Sequence, residues 1–284
     1  MNKLSVVLPA YNEELMVGKT CRVLAQVLTE AQIPYELVVV NDGSSDRTWE
    51  EIQKAGERDA NVTGVLFSRN FGKEAAIFAG LAQAGGDVVA VMDCDLQHPP
   101  QTLIEMYRLW QDGYEVIEGV KSDRGKEGFL HKECAGFFYD IMSKATKVNM
   151  KDASDFKMLD RKAVDSILSM PERNMFFRAT STWVGYKTTS VEFEVQEREA
   201  GVSKWSPWTL VKYAFTNIVS IAVCYYYRSG LFYMFAGPYD LFADTVFRRF
   251  CSGGIYDTAD GTAAGGKRHD DQSGDHWILY CQDL

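Results

Sequence analysis

The run V-M-D-C-D-L-Q-H-P-P, residues 91–100, sets two aspartates one residue apart at the end of an apolar stretch. On an extended strand, residues i and i+2 point the same way, so Asp93 and Asp95 are expected to aim both carboxylates at one point. Paired hard oxygen donors suit Mg2+ or Mn2+, which commonly bridge to a substrate phosphate. For this pair alone, a solvated polar turn stays open. Two more polar motifs strengthen the chemical reading. In N-D-G-S-S-D (41–46), Asp42 ends an apolar run and can accept a base-edge N–H or a ribose hydroxyl. Gly43 permits a tight turn there, and Ser44 or Ser45 can cap the next helix. In P-A-Y-N-E-E (9–14), Pro9 stiffens the exit, Tyr11 offers a ring, Asn12 can cap a helix and Glu13 can accept hydrogen bonds from a ribose.

The elements that must position these residues are legible as an alternation. Continuous apolar, β-branched runs at 4–8, 36–41, 62–67, 87–93 and 115–119 read as strands buried on both faces. Helical stretches at about 13–30, 45–59, 73–84 and 100–112 lie between them. The alternation predicts an α/β fold with a mainly parallel sheet flanked by helices, and ligands in such sheets collect beyond the carboxyl ends of the strands. All of the polar motifs fall at those ends. Further on, 120–135 reads as a Gly-rich loop leading to a helix at 129–147. Residues 154–164 read as a strand passing into a helix, and 187–196 alternate as a half-exposed strand. Residues 205–220 read as an apolar helix in which Trp205, Trp208 and Tyr213 stand beside Lys204 and Lys212, a mixture suited to a membrane interface or to packing on the domain.

Composition narrows the classes. The chain has 284 residues, 46% hydrophobic, enough for a sizeable core. A net charge of -9 argues against nucleic acid as a partner. Six cysteines form no C-x-x-C pair, which fits reduced thiols. The N-terminal run is too short for a signal peptide, and no uninterrupted apolar run reaches the roughly eighteen residues of a membrane span.

Taken in order, P-A-Y-N-E-E, V-V-N-D-G-S-S-D, R-N-F-G-K and M-D-C-D-L-Q-H-P-P resemble family 2 glycosyltransferases of the GT-A, Rossmann-like fold. Within that family they are similar to the polyprenyl-phosphate subgroup: bactoprenol glucosyltransferases and dolichyl-phosphate mannose synthases. A-S-D-F-K-M-L-D-R (153–161) and R-E-A-G-V-S-K-W (198–205) continue the resemblance, which covers about residues 1–220. It implies a catalytic domain over 1–204 and an inverting, metal-dependent transfer from a nucleotide-sugar donor, UDP-glucose first and GDP-mannose as the alternative. The implied acceptor is a polyprenyl phosphate such as undecaprenyl phosphate, at the cytoplasmic face of the cell membrane. Pro9, Tyr11, Glu13 and Asp42 would hold the donor nucleoside. Asp93, Asp95 and Gln97 would bind a divalent metal, Mg2+ or Mn2+. Arg124, Arg198, Ser203 and Lys204 would handle the acceptor phosphate. Asp155 takes the position given the base role. A phosphate acceptor with a second pKa of about 6 needs little deprotonation, so Asp155 is expected to orient the acceptor; the structural alternative is capping of the 161–168 helix or pairing with Arg161. The pair Lys73-Glu74 departs from the pattern, and the resemblance gives it no role. A homo-oligomer stays open.

Members of the subgroup usually continue into two transmembrane helices, where this chain has 221–284. That tail has no stable period and is expected to lack regular structure. Plausible codons for Gly274–Asp283 read one base on can encode an apolar run, so the tail reads as a frameshifted remnant of the anchor, and a divergent soluble tail is the alternative. Rival classes are a non-catalytic remnant that only binds nucleotide, and a sugar nucleotidyltransferase, which needs a Gly-rich loop where P-A-Y-N-E-E stands.

Overall fold

The computed structural model describes residues 2–122, 154–170 and 176–196, together with the backbone of 268–270 and 276–280. The chain runs β1 (Leu4–Ala10), α1 (Val17–Glu30), β2 (Tyr35–Asn41), α2 (Thr48–Arg58), β3 (Val62–Phe67), α3 (Lys73–Gln83), β4 (Val88–Val91), α4 (Thr102–Gln111) and β5 (Val116–Lys121). It resumes with β6 (Lys157–Asp160), α5 (Arg161–Leu168), α6 (Phe177–Trp183), β7 (Thr188–Phe193), β8 (Arg268–Asp270) and β9 (His276–Tyr280). One sheet takes all the strands in the order β7-β5-β6-β4-β1-β2-β3-β9-β8. β4, β1, β2 and β3 are mutually parallel, while β6 lies antiparallel between β4 and β5.

Strand alternation divides the core into two layers. Val6 and Leu8 face Leu24, Leu28, Ile52 and Met106 of α1, α2 and α4, whereas Val7, Val38 and Val40 face Ile77 and Leu81 of α3 and Val164 and Ile167 of α5. α1 buries Val17, Cys21, Leu24 and Leu28, the stripe that a 3.6-residue period requires. Burial on this scale, about 1.5–3 kcal/mol for each Val, Leu or Ile, fixes the sheet and with it the loops at its carboxyl edge.

The chain proceeds from β1 outward through β2 to β3, then returns to place β4 on the other side of β1. This reversal opens a crevice beyond the carboxyl ends of β1 and β4, the place where such sheets take ligands. P-A-Y-N-E-E leaves β1 and D-C-D follows β4.

The expected strands and helices are present with shifted ends: α1 starts at Val17, not 13, and α2 at Thr48, not 45. α6 was not foreseen. β7 alternates exposed and buried residues as expected. The tail departs from expectation, since H-W-I-L-Y forms β9 parallel to β3; its aromatic and β-branched residues favour a strand. Among the described residues no helix is long and apolar enough to cross a membrane. The helices expected at 129–147 and 205–220, and Arg124, Arg198, Ser203 and Lys204, lie outside the described residues.

Candidate active site

The two loops after β1 and β2 interlock. Asn12, in the left-handed region at φ 53, donates its N–H to Ser44 Oγ (2.9 Å) and accepts from the Ser45 N–H through Oδ1 (2.8 Å). The Glu13 N–H donates to Thr48 Oγ1 (2.8 Å), and the Arg47 N–H donates to Glu14 Oε2 (3.0 Å). The expected capping roles are therefore corrected. Neither Asn12 nor the serines cap a helix; they tie loop to loop, and Asp46 Oδ1 accepts from the Thr48 N–H at the start of α2 (3.0 Å). Tyr11, the first residue past β1, is 41% exposed.

Asp42 is buried, and its carboxylate accepts from the Phe71 N–H (2.7 Å) and the Gly72 N–H (3.0 Å), so it clasps the R-N-F-G loop. Gly43 sits at φ +60, and a Cβ there would meet the backbone of Arg69 and Asn70 at 2.2 and 2.4 Å. Only glycine lets the two loops close together. Burial raises the Asp42 carboxyl to about 6, and the two N–H groups only partly offset it. The folded pKa thus lies above the ordinary 3.8. The sign follows: the Asp42 contribution to stability is present below about pH 4 and is lost as pH rises through about 6, by roughly 2–3 kcal/mol. Urea unfolding of wild type and Asp42→Asn between pH 4 and 7 checks this. The difference should move against wild type by that amount as pH rises, and a difference independent of pH would overturn it.

Asp93 and Asp95 lie past the end of β4 on a turn, with Leu96 in the left-handed region at φ 57. Strand alternation therefore does not place them. Asp95 is buried, and its Oδ1 accepts from the Gln97 N–H (3.1 Å). The Gln97 carbonyl accepts from the Gln196 N–H (3.1 Å), which joins the turn to the chain beyond β7. The turn rests on α1 through Thr20 Oγ1, which donates to the Cys94 carbonyl (2.6 Å). Burial raises the Cys94 thiol well above its usual value, with the charges of Glu13, Asp93 and Asp95 adding to the effect.

The centre of the site is a chain of ion pairs. Lys73, the first residue of α3, reaches Asp93 Oδ1 at 2.7 Å and Asp155 Oδ2 at 2.8 Å. From α6, Arg178 grips the same Asp155 with Nε on Oδ1 (2.6 Å) and Nη2 on Oδ2 (2.9 Å). Burial works against the charge of Asp155, but Lys73 and Arg178 outweigh it and hold the carboxyl well below the usual range. The same balance, burial against Lys73, leaves Asp93 lowered. Lys73 is raised in turn, because Asp155 and Asp93 overcome its burial. Neighbouring Glu74 accepts from the Phe177 N–H (2.9 Å), tying the start of α3 to the start of α6.

Asp155 is thus neither a cap nor a partner of Arg161. Asp160 caps α5 by accepting from the Lys162 N–H (2.9 Å), and Arg161 donates to the carbonyls of Ala84 and Gly86 (2.7 Å each). Three residues that sequence reasoning gave no role complete the surroundings: Arg178, fully buried Lys157, and His98, which stacks on Phe156 with ring centroids 4.6 Å apart. Lys157 was visible only as a lysine inside an apolar strand. Arg178 gave no signal beyond a lone basic residue in F-F-R-A-T-S-T.

Among the described residues no three His, Cys, Asp or Glu side chains converge as a ready-made metal cage. The donor chemistry still fits a hard divalent cation. Asp93 and Asp95 would supply oxygen ligands, and such ions fill their remaining positions with water and substrate phosphate. Asp93 and Asp155 are the carboxylates paired with Lys73 here, and Arg178 shares Asp155.

A switch-point crevice between interlocked polar loops, with an acidic turn at its side, defines the class as a glycosyltransferase of the GT-A fold. The solved structure of glucosyl-3-phosphoglycerate synthase from Mycobacterium tuberculosis, in complex with Mn2+, UDP and glucosyl-3-phosphoglycerate, shares that fold. Its TM-score is 0.57 at 18% identity, covering 79% of this chain and 80% of that one. The family model for glycosyl transferase family 2 matches residues 5–168, and the chain belongs to that family. It is 39% identical over 219 residues to an uncharacterized glycosyltransferase, YkcC, of Bacillus subtilis strain 168, covering 77% of this chain and 68% of the relative. It is 35% identical over 221 residues to the bactoprenol glucosyl transferase of Shigella phage SfV, covering 78% and 72%.

Proposed function

We propose that this glycosyltransferase moves glucose from UDP-glucose to the phosphate of a polyprenyl phosphate, such as undecaprenyl phosphate, at the cytoplasmic membrane face, with inversion at the anomeric carbon. The observation that carries this reading is the 35% identity, over 221 residues, to a relative named bactoprenol glucosyl transferase. In this reading Pro9, Tyr11, Glu13 and Asp42 line the nucleoside, and Asp42 also holds the R-N-F-G loop beside it. Asp93 and Asp95, with Gln97, would hold a divalent cation, Mg2+ or Mn2+, which when bound supplies the charge that stabilises the leaving diphosphate. Arg124, Arg198, Ser203 and Lys204 are assigned to the acceptor phosphate.

The acceptor needs no strong base, because a phosphate monoester with a second pKa of about 6 is mostly ionised at neutral pH. Asp155, bound to Lys73 and Arg178, is a poor proton acceptor. Its part is to hold those two cations in place, where they can face phosphate oxygens. The test is transfer of label from UDP-[14C]glucose to undecaprenyl phosphate in detergent, with GDP-[14C]mannose in parallel, each with and without Mn2+. Lipid-extractable label from UDP-glucose, dependent on Mn2+, is the expected result. Label from GDP-mannose alone would move the donor to mannose, and binding of UDP without any lipid product would favour a nucleotide-binding remnant.

A further inference from the structure

We infer that Lys73 is a resident cation of the donor site, which holds Asp93 until a divalent ion arrives and must be displaced from it for that ion to bind. This rests on the reading of Asp93 as a cation ligand. The geometry is direct. The Lys73 ammonium lies 2.7 Å from Asp93 Oδ1 and 2.8 Å from Asp155 Oδ2, both within the range of charge-assisted hydrogen bonds. A metal taking Asp93 competes for an oxygen that the ammonium already holds.

The arrangement is built rather than incidental. Lys73 opens α3 immediately after Gly72, whose N–H Asp42 clasps, and Glu74 anchors the same turn to Phe177 at the start of α6. The root of the side chain is therefore fixed from two directions, while its four-carbon stem remains able to swing. Asp155 gives the ammonium a second partner, so surrendering Asp93 does not strand a lysine without a counter-charge. Arg178, held on Asp155 by two bonds, keeps that carboxylate in position during the exchange. Lys73 is thus a positioning residue that couples occupancy at Asp93 to the charge around Asp155. The ammonium released from Asp93 remains at the crevice, with one N–H newly available to a phosphate oxygen of the donor.

The expected consequence is that the wild-type protein without nucleotide binds a divalent ion weakly, because an ammonium must leave first. Mn2+ binding followed by the electron paramagnetic resonance signal of the free ion, with no nucleotide or sugar present, reads this without any turnover. Lys73→Gln should bind Mn2+ at least about tenfold more tightly than wild type, as expected from removing a positive charge at contact distance. Lys73→Ala, which cannot repeat the glutamine's hydrogen bonds, should change in the same direction. Adding Asp93→Ala to either should abolish the gain, and melting curves confirm that each variant is folded. Mn2+ binding that depends on Asp93 but is equal in wild type and both Lys73 variants, or weaker in the variants, would overturn the role of Lys73 and leave the metal reading standing. No Mn2+ binding in any folded variant, even with UDP added, would overturn both.

Discussion

Asp93→Asn is expected to leave a folded protein in which sugar transfer is slower by roughly a hundredfold or more. The substitution keeps the size and shape of the side chain and removes one charge. Stability changes little, because Asp93 is about one-third exposed at its side chain and Lys73 keeps Asp155 as a partner. Activity is different. In the proposed reaction the charge that develops on the leaving diphosphate is stabilised through this carboxylate, and removing one such preorganised electrostatic element typically costs 10²–10³ in rate, or about 3–4 kcal/mol. The label-transfer assay at saturating donor and Mn2+, with a melting curve on the same sample, checks both halves. A folded variant that keeps more than about a third of the wild-type rate would remove Asp93 from the chemistry.

Glu118→Ala is expected to cause the largest loss of stability. Lys157 lies on β6 with no solvent exposure, and its ammonium is satisfied by Glu118 Oε1 (2.6 Å), Ser181 Oγ (2.8 Å), Thr182 Oγ1 (3.0 Å) and the Arg178 carbonyl (3.1 Å). Glu118 is the one full negative charge in that set, and its Oε1 also accepts from Thr182 Oγ1 (2.8 Å). Removing one member of a buried ion pair costs about 3–5 kcal/mol, because the other charge stays behind. Glu118 keeps some exposure, so about 3 kcal/mol is the better figure, and it should lower Tm by roughly 6–10 °C. The sign with pH is fixed by Lys157. Burial pulls its pKa down, and Glu118 opposes this. Without Glu118 the folded state sheds the proton more readily, so part of the loss should return as pH rises above about 8. Urea unfolding at pH 7 and pH 9.5 measures this. A Tm change below 2 °C, or a loss that grows with pH, would show that the ammonium does not depend on Glu118. The clamp also holds α6, so the variant should lose activity through a displaced Arg178.

What could be read from the sequence follows a physical boundary. Strands buried on both faces are long apolar runs, so β1 to β5 were legible, and the motifs at their ends located the crevice. The side-chain geometry at those ends was not. Asp93 and Asp95 were expected to be aligned by a strand, but β4 stops at Val91 and a turn carries them. Ser44 and Asn12 look like helix caps locally, yet their partners lie more than thirty positions away, in each other's loop. Lys73 meets Asp155 across 82 positions, and no local pattern announces such a contact. Arg178 reads as an ordinary surface arginine until the fold turns its helix toward Asp155.

The antiparallel strand β6 returns the chain to the rim of the sheet that carries the site. β5 ends and β6 begins at the same edge of the sheet, beside the crevice. Both posts are stitched down: the Ser122 N–H donates to the Phe193 carbonyl (3.0 Å), and Ser154 Oγ donates to the Gly119 carbonyl (2.8 Å). The chain that leaves the sheet at Ser122 is thus returned at Ser154 to the rim it left, and this landing point delivers Asp155, one residue further on, to Lys73 across the crevice.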